Sequence, residues 1–192
     1  MINTKIPVIL ASGSPRRKKL LEQLNLKFKV LKVDADESFK KGEKPVNIVK
    51  RLSKGKLEKA LESGAKGIII TADTIVVLDG KVMGKPRDFK DAVKMLKTLS
   101  GRTHAVYTGF SVFNSFNNKA LTSYEKTLVT FRNLADIEIK EYVKGGSPMD
   151  KAGAYGIQDD YGAVFIKKIN GCYYNVVGLP LTKLYQSLLK VL

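Results

Sequence analysis

Residues 6–17 read Ile-Pro-Val-Ile-Leu-Ala-Ser-Gly-Ser-Pro-Arg-Arg, an apolar run followed at once by turn residues and two arginines. Residues 6–11 predict a short buried strand. Ser14 is a suitable N-cap, and Pro15 stands at the first helical position that proline favours, so a helix is expected to begin there. Leucines at positions 20, 21 and 24 give this helix an apolar inner face. The stretch therefore predicts a strand–turn–helix unit.

Strands and helices alternate along the rest of the chain. Further helices are expected after Pro45, Asp88, Asp136 and Pro180, and further strands at residues 27–33, 67–78, 81–83, 104–113, 120–131, 163–169 and 173–177. The strand at 67–78 is expected to be interrupted by the polar patch 71–74. Hairpin turns are expected at Asp79-Gly80 and Asn170-Gly171.

Hairpins inserted among alternating strands and helices favour a mixed sheet over a purely parallel one. We therefore predict the α/β class, with a mixed twisted sheet flanked by helices and a cleft between two lobes. The chain has 192 residues, of which 44% are hydrophobic, and no linker or repeat divides it. One domain spanning residues 1–192 is the prediction.

The composition excludes several classes of protein. The single cysteine, Cys172, cannot form an internal disulfide, and with the single histidine, His104, it cannot complete a four-ligand zinc site. The apolar runs have strand length, far below the roughly 20 residues of a membrane helix. The residues after position 11 are unlike the flank of a secretory signal. We expect a cytoplasmic protein without a membrane partner.

The chain is strongly basic, with 34 Lys and Arg against 18 Asp and Glu and a formal net charge of +16. This charge indicates an anionic partner: nucleic acid, an acidic membrane face or a phosphorylated small molecule. Lysines spaced singly along the surface are also typical of a solubilising exterior. The charge alone does not decide between these interpretations.

The segment Ser12-Gly13-Ser14-Pro15-Arg16-Arg17 combines features of a phosphate-binding site. Unpaired backbone N–H groups, the positive end of a helix dipole, two hydroxyls and two guanidiniums would meet there. An ordinary capped helix with exposed arginines is the alternative. No P-loop or dinucleotide glycine motif occurs, so further phosphate contacts would come from residues such as Lys56 and Lys85.

Asp73 is the most informative carboxylate, because it lies between apolar residues of a predicted buried strand. A buried ionised group is costly unless it is paired or binds a metal, so Asp73 has either a chemical or a bridging role. A polyphosphate hydrolase needs an activated water and a cation. With one His and one Cys, the ligands would be carboxylates, which favours Mg²⁺ or Mn²⁺ held by Asp73 with Glu37 or Asp36. A solvated acidic loop is the alternative for Asp36 and Glu37.

Several ordered motifs resemble the Maf proteins, and together they span nearly the whole chain. These motifs are Leu10-Ala-Ser-Gly-Ser-Pro-Arg-Arg17, Ala72-Asp-Thr74, Gly84-Lys-Pro-Arg-Asp88, Leu99-Ser-Gly101, Asp150-Lys-Ala-Gly-Ala-Tyr-Gly-Ile-Gln158, Lys167-Lys-Ile-Asn-Gly171 and Val177-Gly-Leu-Pro180.

The resemblance implies a fold similar to the inosine triphosphate pyrophosphatases, a homodimer, and divalent-cation-dependent cleavage of nucleoside triphosphates to the monophosphate and pyrophosphate. It also implies roles for individual residues: Asp73 as the proton acceptor, Arg16, Thr74 and Gln158 in base choice, Ser12, Arg17, Lys56 and Lys85 in phosphate binding, and Glu37 with Asp73 at the metal.

The run ending at Gln158 resembles the subgroup that acts on dTTP and UTP. Two departures stand out: Gly55 replaces a common Glu, and Asp159-Asp160-Tyr161 replaces a shorter glycine-rich turn. Two other functions remain open. One is a basic nucleic-acid-binding or septum-regulating protein without significant hydrolase activity. The other is a phosphatase that releases orthophosphate.

Overall fold

The computed structural model describes residues 2, 4–40, 42–158 and 161–192. Its strands are β1 (Val8–Ala11), β2 (Phe28–Leu31), β3 (Ile68–Leu78), β4 (Lys81–Met83), β5 (Thr103–Asn114), β6 (Lys119–Phe131) and β7 (Ile166–Asn170). Its α-helices are α1 (Pro15–Glu22), α2 (Pro45–Glu62), α3 (Phe89–Leu99), α4 (Asp136–Lys144), α5 (Tyr173–Val177) and α6 (Leu181–Val191). Short 3-10 helices occupy Ser147–Asp150, Ala152–Ala154 and Tyr161–Phe165.

The strands of the described residues form one seven-stranded sheet in the order β2-β1-β3-β5-β6-β7, with β4 paired to β3. β1 pairs in parallel with both β2 and β3. β4 pairs antiparallel with β3, and β7 pairs antiparallel with β6. The sheet is therefore mixed, and the predicted α/β class with a mixed sheet and helices is confirmed.

Contacts within the chain group its residues into two compact units. The first comprises Met1–Asp73, Thr108–Glu125 and Gly178–Leu192, and the second comprises Thr74–Tyr107 and Lys126–Val177. The boundary between Asp73 and Thr74 falls inside β3. The single domain over residues 1–192 and the cleft between two lobes stay predictions.

The predicted strand–turn–helix unit is confirmed at the start of the first unit. β1 is followed by Ser14, whose backbone is extended and whose side chain accepts a hydrogen bond from the backbone N–H of Arg17. Pro15 is the first helical residue, and the inner face of α1 buries Leu20 and Leu21. Three residues, 12–14, therefore separate the end of β1 from the start of the capped helix.

Each unit has its own apolar core. In the first unit, Ala11, Ala60 and Ile69 are fully buried, which brings together β1, α2 and β3. In the second unit, a larger cluster includes Leu96 of α3 and the aromatic ring of Phe131. Removing such side chains from water supplies the main stabilising free energy of each unit.

β3 runs unbroken from Ile68 to Leu78, so the predicted interruption at residues 71–74 is wrong. Thr71 and Asp73 are both buried within the strand. The side chains of both residues make hydrogen bonds inside the protein, which offsets the cost of burying polar groups there. Polar residues with such partners do not need to end a strand.

Residues of α5 (Tyr173–Val177) are helical, so the strand predicted at 173–177 and the hairpin at Asn170-Gly171 are wrong. Gly171 has φ +128° and lies so close to Thr127 that an added Cβ would come within 2.9 Å of the Thr127 hydroxyl. The side-chain amide of Asn175 donates to the carbonyl of Val106 and to the Thr127 hydroxyl. These buried tertiary contacts override the strand preference of the local sequence.

Two predicted boundaries also differ. The N-cap of α4 is Ala135, not Asp136, and the Glu138 carboxylate accepts the hydrogen bond of the Ala135 N–H. The strand predicted at residues 163–169 begins at Ile166, because the preceding residues form a 3-10 helix.

Candidate active site

The turn after β1 holds a fixed guanidinium beside a helix N-terminus. The hydroxyl of Ser12 accepts hydrogen bonds from the N–H of Ser14 at 3.2 Å and from Arg17 Nη1 at 3.3 Å. Arg17 Nε donates to the carbonyl of Gly178 at 2.9 Å. Two nitrogens of the Arg17 guanidinium, Nε and Nη1, are therefore held by hydrogen bonds close to the positive end of α1. Such an arrangement suits a phosphate group.

The charge of Arg17 belongs to a larger electrostatic cluster. Burial lowers the pKa of Arg17, and the positive charge of Arg16 lowers it further. The negative charges of Asp73 and Glu37 act in the opposite direction. Arginine is not deprotonated in proteins, so the group remains a cation at neutral pH.

Lys56 is the centre of this cluster. It lies on α2 in the buried stripe of Leu52, Lys56 and Ala60, and it is only 8% exposed. Its ammonium group donates a hydrogen bond to the carboxylate of Asp73, which is 7% exposed on β3. The burial of Asp73 is therefore compensated by a cation, as an ionised group inside a protein requires.

A second carboxylate shares the same ammonium. Glu37 Oε1 accepts a hydrogen bond from Lys56 Nζ at 2.7 Å, and Glu37 lies on the loop after β2. The alternative ligand, Asp36, is engaged elsewhere: its carboxylate accepts hydrogen bonds from the backbone N–H and the hydroxyl of Ser38, which lower its pKa. Of the two acidic residues, Glu37 is the one that joins Asp73.

The donor set suits a hard divalent cation that is completed by other ligands. Among the residues that the structure describes, no three or more His, Cys, Asp and Glu side chains are grouped to hold a metal. Glu37 and Asp73 nevertheless present carboxylate oxygens to one common cation, the ammonium of Lys56. Mg²⁺ is usually bound by one or two protein carboxylates, with substrate phosphates and water as its other ligands. The two carboxylates fit this pattern.

The remaining predicted residues lie on different elements. Arg16 is partly exposed in the first turn of α1. Thr74 follows Asp73 in β3, Lys85 is exposed just after β4, and Gln158 is partly exposed after the second 3-10 helix. The last three belong to the second unit. Their proximity to Asp73 stays a prediction.

The two departures from the family pattern have different outcomes. Gly55 is on α2, and a Cβ added to it would meet no atom within 4 Å, so a larger side chain there would require no movement of the backbone. It lines a pocket together with Lys54 and Glu58 of the same helix. Asp159 and Asp160 lie outside the described residues.

Sequence reasoning missed two features of this site. The acceptor for Arg17 is the backbone carbonyl of Gly178, which no side-chain pattern reveals. The pairing of Lys56 with Asp73 and Glu37 was also missed. A signal for it exists, because Lys56 lies four residues from both Leu52 and Ala60 and so falls on the apolar face of its helix.

Comparison with known proteins identifies the family. Residues 7–191 match the family model for Maf, described as Maf-like protein. Relatives match over almost their whole length. One from Syntrophomonas wolfei is 45% identical over 93% of this chain and 94% of its own, and one from Dictyoglomus turgidum is 48% identical over 92% of each chain. A third, from Clostridioides difficile, is 44% identical over 95% of this chain and 94% of its own. Each is named dTTP/UTP pyrophosphatase. The chain belongs to the Maf family.

Among solved structures, the Ham1 protein of Staphylococcus aureus aligns with a TM-score of 0.47 and 14% identity, over 68% of this chain and 72% of that one. A likeness of this size does not establish a common fold, so the similarity to the inosine triphosphate pyrophosphatase fold stays a prediction. Among the described residues, no helix combines the length and the apolar character needed to cross a membrane.

Proposed function

We propose that this protein is a nucleoside triphosphate pyrophosphatase that hydrolyses dTTP and UTP to the monophosphate and pyrophosphate. CTP and modified pyrimidine nucleotides are further candidate substrates. The observation that carries the proposal is the 44–48% identity to three relatives of this name, over more than nine-tenths of each chain. The enzyme is a hydrolase of acid anhydrides and serves as a house-cleaning enzyme of nucleotide metabolism.

The cluster around Lys56 supports this chemistry. Asp73 acts as the proton acceptor for the attacking water, a role that needs an ionised carboxylate within hydrogen-bond reach. The site keeps Asp73 in contact with a cation, the ammonium of Lys56. The bond between the α and β phosphates is then broken, and pyrophosphate leaves.

Four residues bind the phosphates in this proposal: Ser12, Arg17, Lys56 and Lys85. Arg17 is fixed by its bonds to Ser12 and Gly178, so its guanidinium needs little further ordering when an anion binds. Lys56 already carries two carboxylate partners, and a phosphate oxygen is a third acceptor for its three N–H donors.

Glu37 and Asp73 hold the divalent cation, Mg²⁺ or Mn²⁺, in this proposal. When bound, such a cation neutralises phosphate charge and polarises the phosphoryl group. Both oxygens that contact Lys56 are hard donors, which suits either metal.

Arg16, Thr74 and Gln158 read the base. The amide of Gln158 has one acceptor and two donor hydrogens, which match the N3–H and O4 groups of uracil and thymine. Gln158 is partly exposed and follows the 3-10 helix Ala152–Ala154.

We further propose that the protein works as a homodimer in the cytoplasm, without a membrane or nucleic-acid partner. The net charge of +16 is the reason to test nucleic acid directly. A small-nucleotide enzyme should bind random DNA weakly at physiological salt, whereas a nucleic-acid-binding protein would show tight binding that falls steeply with salt. A gel-shift titration at several salt concentrations distinguishes these outcomes.

The decisive experiment is a panel of dTTP, UTP, CTP, GTP and ATP, scored for the phosphorus product. Release of pyrophosphate with dTTP and UTP as the best substrates is the expected result. Orthophosphate as the first product would assign the protein as a phosphatase instead. Turnover of none of these nucleotides would remove the proposed function.

A further inference from the structure

The strand that carries Asp73 is tied to the helix that carries Lys56 by a buried hydrogen bond. The hydroxyl of Thr71 on β3 donates to the carbonyl of Ser53 on α2 at 2.7 Å. Both residues are fully buried. This bond joins two consecutive elements of the first unit across 18 residues of sequence.

On each element, the residue that makes this hydrogen bond lies near the residue of the Lys56–Asp73 ion pair. Thr71 is two residues before Asp73, so both side chains lie on the same face of β3. Ser53 is three residues before Lys56, so the two are neighbours on the surface of α2. A change in the Thr71–Ser53 distance would therefore be passed directly to the Lys56–Asp73 pair.

The side chain of Ser53 continues the link into the sheet. Its hydroxyl lies 3.1 Å from that of Ser111 on β5, which in turn lies 2.9 Å from the hydroxyl of Thr122 on β6. Helix α2 is thus connected to strands β3, β5 and β6 through hydroxyl groups.

Close packing at Gly109 leaves the helix no room to approach the sheet further. A Cβ added to Gly109 on β5 would come within 2.3 Å of the carbonyl oxygen of Val49 on α2. Contact with the backbone sets the nearest approach of α2, and the directional bond from Thr71 then selects its position along the strand.

The Thr71 hydroxyl is not needed to satisfy its acceptor. Ser53 lies in the interior of α2, where its carbonyl also faces the N–H four residues later. Threonine and valine have nearly the same shape, and valine is also preferred in strands. A fully buried hydroxyl beside Ile68–Ile70 therefore serves the placement of α2 more than the stability of β3.

We propose that Thr71 is a positioning residue that holds Lys56 against Asp73 through its hydrogen bond with the Ser53 carbonyl. The effect on catalysis rests on the proposed function. The effect on the geometry of the ion pair does not.

The test compares Thr71→Val, which removes the hydroxyl, with Thr71→Ser, which keeps it. We expect Thr71→Val to lower kcat for dTTP by roughly tenfold with a KM within about twofold of wild type, because misplaced catalytic groups lose turnover more than binding. Thr71→Ser should restore kcat to within about twofold. Thr122→Val is the matched control. It removes a hydroxyl of the same network, but that hydroxyl contacts Ser111 on β5 and not a residue of α2.

A second readout is independent of hydrolysis. The ¹³Cγ NMR signal of Asp73, assigned with Asp73→Asn, reports on the contact with Lys56. It should move in Thr71→Val and return in Thr71→Ser. If Thr71→Val does not fold, Thr71→Ala with a native circular dichroism spectrum takes its place. An unchanged Asp73 signal in a folded variant without the hydroxyl would overturn the proposal, as would a loss of kcat that serine does not restore. If the wild-type protein hydrolyses no nucleotide, the NMR comparison alone decides the geometric part.

Discussion

Lys56 Nζ lies 2.7 Å from Glu37 Oε1 while the same ammonium also donates to Asp73. One ammonium group therefore compensates two carboxylates. The side chain of Lys56 is 10% exposed and that of Glu37 is 45% exposed, so one side of the cluster is open to solvent. The protein itself thus supplies the counter-ion for both carboxylates.

Lys56→Met should destabilise the protein and make its stability depend on divalent cations. Removing the ammonium leaves two carboxylates without compensation, at a cost of about 2 kcal/mol given the exposure of Glu37. Adding Mn²⁺ should raise the Tm of Lys56→Met more than that of wild type. Lys54→Met, an exposed lysine on the same helix, is the control. Equal Mn²⁺ shifts in all three proteins would argue against a metal site at Glu37 and Asp73.

Asp73→Asn should remove most hydrolysis while leaving the fold in place. The amide cannot accept the proton of the attacking water, and loss of a general base typically costs about 10²-fold or more in kcat. The amide oxygen can still accept a bond from Lys56, which also keeps Glu37, so the loss of stability should be within about 2 kcal/mol. Steady-state kinetics and urea unfolding measure the two effects. Near-normal turnover of Asp73→Asn would assign the role of base to Glu37. Asp79→Asn, on an exposed turn, is the control.

Removal of divalent cations should silence the enzyme. Exhaustive dialysis against EDTA is expected to abolish pyrophosphate release, and Mg²⁺ or Mn²⁺ should restore it, because the available ligands are carboxylate oxygens. Zn²⁺ should not substitute. Full activity after this treatment would leave the phosphate charge to Arg17, Lys56 and Lys85 alone.

Much of the fold was predictable because its signals are local. Ser14 with Pro15 marks the start of α1, and Asp88 caps α3 by accepting from the N–H of Asp91. Asp79 and Gly80 both adopt positive φ, as a tight hairpin between β3 and β4 requires. Such signals need no knowledge of the rest of the chain.

The errors arose where distant residues decide. The Tyr-Tyr-Asn-Val-Val run of α5 has strand-forming residues, yet Asn175 finds its partners on Val106 and Thr127, 69 and 48 residues away. In the same way, the pairing of Lys56 with Asp73 spans 17 residues and joins two different elements. Local sequence can place Lys56 on the buried face of its helix, but it does not identify the partner on another element.

His104 should make the stability of the protein depend on pH. Its Nε2 lies 2.7 Å from the Tyr155 hydroxyl, and its ring packs edge-on against Phe131. Burial lowers the pKa of His104 from 6.5 to about 4. Between these two pH values His104 binds a proton in the unfolded chain but not in the folded protein. The free energy of unfolding therefore falls as pH falls from 6.5 to about 4. The full effect is on the order of 3 kcal/mol.

Urea unfolding at pH 7 and pH 5 measures this dependence. His104→Gln removes the titrating imidazole and leaves the carboxylates of the protein unchanged. The difference in stability between the two pH values should therefore be smaller in the variant than in wild type. The variant itself will be less stable, because it loses the ring contacts of His104. An equal pH dependence in both proteins would show that His104 does not bind a proton on unfolding in this range.

Gln158→Glu should reduce hydrolysis of dTTP and UTP more than that of CTP and GTP. The substituted carboxylate has no N–H donor for the O4 of uracil or thymine, and the loss of such a hydrogen bond in a desolvated pocket costs roughly 1 to 3 kcal/mol, or about ten- to a hundredfold in kcat/KM. Lys85→Ala provides the contrast. Lys85 is an exposed cation proposed to contact phosphates that every substrate shares, so its removal should lower kcat/KM by a similar factor for all four nucleotides. Steady-state kinetics of both variants on the four substrates separates base recognition from phosphate binding. Equal losses across the four substrates in Gln158→Glu would show that this residue does not read the base, and a selective loss in Lys85→Ala would show that Lys85 does more than bind phosphate.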